Sequence, residues 1–134
     1  MTSDDGKSLV RVYVAAFNRG DVEGVCRCFA AGATVYGVLG WGDVATARPI
    51  WEQLVNCFQM HLQIESMAAE EDIVAVRYKE CGRFVRAFRG VEPTGKPYEV
   101  VAMEWFEFGA GGIVRRWGAR DSAAMFRQMG IPLT

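Results

Sequence analysis

The stretch Tyr98–Asp121, YEVVAMEWFEFGAGGIVRRWGARD, decides the fold. Its opening part, YEVVAMEWFEF, is dense in β-branched and aromatic residues and reads as a strong strand. The GAGG after it is a hairpin loop, and IVRRWGA returns as a closing strand. Upstream, HLQIESMAA alternates as a strand with Leu62, Ile64, Ser66 and Ala68 on one side. After the polar turn EED, IVAVRYKECGRFVRAF is one long strand or a broken pair, and VEPTGKP is a turn.

The first half has helical spacing instead. From about Asp5 to Arg19, Leu9, Tyr13, Ala16 and Phe17 share a face. Gly20 stops that helix, and Asp21 caps a second one, VEGVCRCFA, with Val22, Val25 and Phe29 inward. ATVYGVLGW is short, β-rich and broken at its glycines. A third helix starts near Pro49 and buries Ile50, Leu54 and Phe58, with Trp51 and Val55 alongside. Helices before an antiparallel sheet give an α+β class, one domain over residues 1–134. A curved sheet packed on one face by three helices encloses a cone-shaped hollow, a standard place for a small hydrophobic ligand.

Composition narrows the partners. The net charge of −1 supplies no field for nucleic acid or an anionic membrane. No apolar run reaches the roughly 18 residues of a membrane helix, and MTSDDGK lacks the features of a signal peptide, so a cytoplasmic location is expected. Cys26, Cys28, Cys57 and Cys81 lack CxxC spacing and are read as unpaired thiols in a reducing compartment. The single histidine, His61, alternates to the face of Gln63 and Glu65 and is expected to be exposed, and one histidine forms no HExxH metal site. Arg83, Arg86 and Arg89 form the one local basic cluster, read as a solvated face.

Three residues stand out as candidates for chemistry. Glu104 shares a strand face with Val100, Ala102, Phe106 and Phe108, and the opposite face is apolar too. A carboxyl buried there needs a proton or a partner. It is therefore either a functional acid or an ion-paired one, with Arg115 a candidate partner. Tyr13 lies on the buried face of the first helix, as a core aromatic or as a donor into the hollow. Asp121 shares strand parity with Ile113, Trp117 and Ala119, away from Arg116, Gly118 and Arg120. It is expected at the inner edge of the sheet, as a helix N-cap, a pocket carboxylate, or both. Trp117, Phe106, Phe17, Trp41 and Phe58 are assigned to the pocket lining.

VYVAAFNRGDVEGVCRCFAAGATVYG is similar to the opening of ketosteroid isomerases and SnoaL-like polyketide cyclases, with Tyr13, Asn18, Gly20–Asp21, Phe29–Ala30, Ala33 and Val35 in the matching places. EPTGKP, EWFEF, GGIVRRWGARD and MFRQMGIP resemble the SnoaL branch of this nuclear transport factor-like superfamily. The resemblance covers nearly the whole chain and implies the cone-shaped α+β barrel and a homodimer through the sheet. It also implies an oxyanion hole from Tyr13 and Glu104, the latter in place of an aspartate, following the protonated-acid logic known for the isomerase. In the cyclases the acid/base is an aspartate matching Asp121, whereas the isomerase base falls at Gly37, which has no side chain. The Gly-Thr-His segment of many cyclases reads Cys81-Gly82-Arg83-Phe84 here. The resemblance thus implies an enzyme that abstracts a proton α to a carbonyl on a hydrophobic compound, for cyclisation or isomerisation and without metal or cofactor. The alternatives are a non-catalytic binding or dimerisation domain and an epoxide-opening hydration enzyme.

Overall fold

The computed structural model describes residues 2–37 and 40–133. Val38 and Leu39 of the ATVYGVLGW stretch thus lie outside the described residues. The elements run α1 (Ser3–Asn18), α2 (Val22–Arg27), β1 (Phe29–Gly37), β2 (Gly40–Asp43), α3 (Val44–Phe58), β3 (His61–Glu70), β4 (Ile73–Arg83), β5 (Pro97–Gly109), β6 (Gly112–Arg120) and α4 (Ser122–Met129). The strands form one sheet in the order β2-β1-β6-β5-β4-β3. All neighbours are antiparallel except β1 and β6, which run parallel. The result is an α+β architecture with a curved, unclosed sheet.

Each helix starts on a side chain that satisfies an amide the helix cannot. Thr2 and Asp5 form a reciprocal capping box at α1, and Asp21 accepts from the Gly24 amide at α2. Asp43 accepts from the Thr46 amide at 2.8 Å, so α3 begins at Val44, upstream of the start expected near Pro49. Pro49 lies within the helix. β4 ends at Arg83, and the residues after it leave the sheet. Gly82 explains part of that ending. A Cβ there would collide with the backbone carbonyl of Phe58 and come within 2.7 Å of the Tyr98 ring, so a glycine lets the end of α3 dock on the sheet.

Strand alternation sets the core. Tyr98, Val100, Ala102, Phe106 and Phe108 of β5 are buried, while Val101, Met103 and Trp105 face outward. Two bulges reverse parity elsewhere. One lies between Ile64 and Ser66, so the inner side of β3 passes from Leu62 and Ile64 to Met67 and Ala69, not to Ser66 and Ala68. The other is in β6, where Phe108 pairs with Ile113 but Glu107 pairs with Arg115, leaving Val114 as the extra residue. This second bulge determines what enters the hollow.

Candidate active site

Because of the bulge at Val114, Ile113 and Arg116 both point inward, and Arg115 and Trp117 point outward. The parity expected for this strand is reversed beyond Val114. Arg116 therefore enters the hollow on the same face as Gly118 and Arg120. A Cβ at position 118 would lie 2.8 Å from Arg116 Nη1, so the absence of a side chain at Gly118 gives the guanidinium its bed.

The cavity has a volume of about 120 Å³ between the sheet and helices α1 and α3. Its apolar wall includes Phe17, Ile50, Trp51, Leu54 and Leu62, with Trp41 at the β2 side. Its polar groups fall into two clusters. In the first, Glu104 Oε2 accepts from the Tyr13 hydroxyl at 2.7 Å and from Arg116 Nη1 at 2.7 Å. Arg116 Nη2 also donates to the Tyr36 carbonyl at 3.3 Å, and its guanidinium lies 5.9 Å from the Trp51 ring centre. Glu104 Oε1 accepts from no described residue. The Tyr78 hydroxyl is buried on the cavity wall without a hydrogen-bond partner among the described residues. Tyr78 and Glu104 are diagonal neighbours on one face, since Tyr78 pairs with Ala102 and Val76 with Glu104.

In the second cluster, Glu80, with 0% exposure, accepts from the Tyr98 hydroxyl at 2.7 Å and from Arg120 Nε at 2.8 Å. Both clusters have the same composition: a carboxylate held by one tyrosine and one arginine.

Of the expected site residues, Tyr13, Glu104, Phe17 and Trp41 lie on the cavity wall. Phe58 and Phe106 are instead packed in the core, Phe58 against Phe84 and Phe88, Phe106 against Tyr13 and Phe108. Trp117 sits on the outer side of the sheet, edge-on to Trp41 at 5.3 Å. Asp121 is exposed, accepts from the Ala124 amide at 3.0 Å as the N-cap of α4, and is absent from the cavity wall. The reversed parity of β6 is the reason for both displacements. Glu104 pairs with Arg116, not Arg115, which lies 3.8 Å from Glu107 on the outside. Sequence reasoning misses Arg116, Tyr78, Glu80 and Arg120. Glu80 carries a readable signal, as a charged residue in phase with the apolar Val74, Val76 and Tyr78. Arg116 has none, because a bulge cannot be read from alternation.

The buried hydroxyls predict a property of the whole fold. Burial, reinforced by the nearby Glu104, pushes Tyr13 and Tyr78 well above the usual phenol range, and burial beside Glu80 does the same to Tyr98. These groups ionise later in the folded chain than in the unfolded one. Their contribution is complete below about pH 10 and is lost as pH rises toward the folded values. Three of the four tyrosines are expected to ionise only as the protein unfolds above about pH 10. Tyrosinate absorbance and circular dichroism followed together check this. Ionisation of all four before any loss of structure would contradict it.

Among the described residues no group of three or more His, Cys, Asp or Glu side chains is arranged to hold a metal ion, and no helix is long and apolar enough to cross a membrane. Comparison with solved structures finds the same architecture repeatedly. AclR, a candidate hydroxylase from Streptomyces galilaeus, superposes with a TM-score of 0.89 at 26% identity, over 98% of this chain and 100% of that one. IdmH, a candidate polyketide cyclase from Streptomyces antibioticus, gives 0.80 at 24% identity, over 94% and 99%. A candidate polyketide cyclase from Xanthomonas campestris gives 0.86 at 20% identity, over 95% and 98%. The sequence model of the SnoaL-like polyketide cyclases matches residues 7–129, nearly the full length, and the chain belongs to that family.

Proposed function

We propose that the protein is an enzyme that removes a proton from the carbon α to the carbonyl of a hydrophobic compound, with Glu104 as the base and Tyr78 as the donor to the enolate oxygen. One observation carries this reading: a buried hydroxyl without a hydrogen-bond partner among the described residues stands beside a carboxylate with one oxygen uncommitted among them, on the wall of a mostly apolar cavity. The proton passes from carbon to Glu104 Oε1, and the electron pair moves onto the carbonyl oxygen, where the Tyr78 hydroxyl meets it. Tyr13 and Arg116 hold Glu104 by its other oxygen. Tyr13 is thus a positioning residue and Glu104 an acceptor, in place of the paired donors implied by resemblance. Asp121 is left to its helix. The enolate is then reprotonated or closes a ring by aldol attack.

The test uses 2-acetonaphthone in D₂O, with methyl exchange followed by proton NMR. Catalysed exchange that is lost in Glu104→Gln is the expected result. Binding of the ketone without any catalysed exchange by the native protein would overturn it and favour a second reading, a non-catalytic ligand-binding domain. That reading draws support from the Glu104–Arg116 ion pair, which explains Glu104 structurally without any chemistry.

The proposal includes a homodimer through the outer face of the sheet. Val101 and Met103 are each 53% exposed and Trp105 is 44% exposed, an apolar patch on the central strands. Sedimentation equilibrium should return a dimer that Met103→Glu converts to monomer. A native protein that sediments as a monomer at micromolar concentration would rule it out.

A further inference from the structure

The second polar cluster is not used by the reaction proposed above, yet it faces the same cavity. Glu80 lies opposite Val100 in the β4–β5 ladder and Glu104 lies opposite Val76, so the two carboxylates are offset by four residues along the sheet. At about 3.3 Å per residue that offset is about 13 Å between backbones. Arg116 and Arg120 repeat the offset on β6, with Gly118 between them. The cavity thus carries charge at two stations, with Ala102 and the buried Tyr78 at the register between the two glutamates and Arg120 opposite Ala102.

The two arginines are engaged differently. Arg116 gives Nη1 to Glu104 and Nη2 to a backbone carbonyl. Arg120 gives Nε to Glu80, while its Nη2 has only the Met60 sulfur at 3.8 Å, and its Nη1 has no partner among the described residues. Glu80 has both oxygens engaged, by Tyr98 and by Arg120, and its side chain is fully buried. Its effect is to fix the Nε side of the guanidinium and leave the Nη1–Nη2 edge available. That edge carries parallel donors, suited to an acceptor oxygen, singly or in a pair.

We infer that Arg120, positioned by Glu80 and Tyr98, is a specificity residue that binds a second acceptor oxygen, carbonyl or carboxylate, at the far end of an elongated hydrophobic ligand. The inference rests on the carbonyl-compound reading of the Glu104 end. It makes the preferred substrate one with two oxygen acceptors joined by apolar carbon.

Three naphthalene probes test it, with binding read from the fluorescence of Trp51 in the cavity wall. 2-Acetonaphthone has one acceptor, 2,6-diacetylnaphthalene has two neutral ones, and 6-acetyl-2-naphthoate has a carbonyl and a carboxylate. In the native protein a second acceptor is expected to tighten binding about tenfold, the scale of a hydrogen bond to a charged group. A gain with both double-ended probes assigns a plain acceptor, and a gain with the naphthoate alone assigns an acid. The variant Glu80→Gln/Arg120→Met removes both charges together and so avoids an orphaned buried ion. It should lose the gain and keep the affinity for 2-acetonaphthone. If the gain is absent in the native protein, or persists in the variant, the second station is overturned while the Glu104 reading stands. If the variant weakens all three probes equally, Arg120 has only a structural role. If the native protein binds none of the probes, both readings fail.

Discussion

Replacing Glu104 with Gln is expected to lower α-proton exchange by about 10²–10⁴-fold, the usual contribution of a positioned general base. The amide keeps the length and planarity of the side chain and still accepts a hydrogen bond, but it cannot take a proton from carbon. The change also removes the charge opposite Arg116, so a lost fold could imitate a lost base. Glu104→Asp separates the two effects. It retains the charge for Arg116 and Tyr13 but withdraws the carboxyl by one methylene, which breaks the geometry of proton transfer more than it harms the fold. Exchange should fall in both variants, and ligand affinity should persist in Glu104→Asp. Asp121→Asn is the comparator. Asn caps a helix about as well as Asp, so α4 should remain intact. If the carboxylate of Asp121 only caps, the exchange rate should be unchanged. The opposite pattern, with Asp121→Asn inactive and Glu104→Gln active, would return the base to the end of β6.

The contrast between Glu104 and Asp121 shows where sequence reading succeeds. The order of elements, the hairpin at Gly109–Gly112 and the grouping of β5 residues into two faces come from composition and period alone, because β5 alternates without interruption from Tyr98 to Trp105 and beyond; which face is inward does not, since both are apolar. Glu104 can be picked out for the same reason. Asp121 and Trp117 are misplaced by a single residue, Val114, whose bulge reverses every later side chain of β6. The cavity's arginines are hidden by the same reversal. Charged residues on a strand are assigned to solvent by default, and two of them here turn inward because two buried glutamates receive them. No local pattern announces such pairs, since Glu80 and Arg120 are brought together only by the strand order β6-β5-β4. The helix start at Val44 is missed for a different reason. Pro49 is a strong signal for a first turn, and the better signal, Asp43 with the Thr46 amide, lies just upstream.

The largest expected loss of stability comes from the ion pair itself. Arg116→Met removes the partner of a carboxylate whose side chain is only 9% exposed, and the arginine it replaces is itself only 11% exposed. Taking one charge from such a pair costs about 3–5 kcal/mol, because the remaining charge stays buried without compensation. Tyr13 still donates to Glu104, but one neutral hydroxyl does not replace a guanidinium. The cost should depend on the second charge. In Glu104→Gln/Arg116→Met both ions are gone, the new amide retains a hydrogen bond from Tyr13, and methionine fills much of the volume beside Trp51 and Gly118. The double variant should therefore recover most of the loss, and the two single effects should be strongly non-additive. Urea unfolding of the four proteins gives the coupling directly. Additive losses would mean that Arg116 and Glu104 contribute independently, through packing alone. Strong coupling would mean that each charge is tolerated on the cavity wall only because the other answers it, so that Arg116 is what allows a carboxylate at position 104.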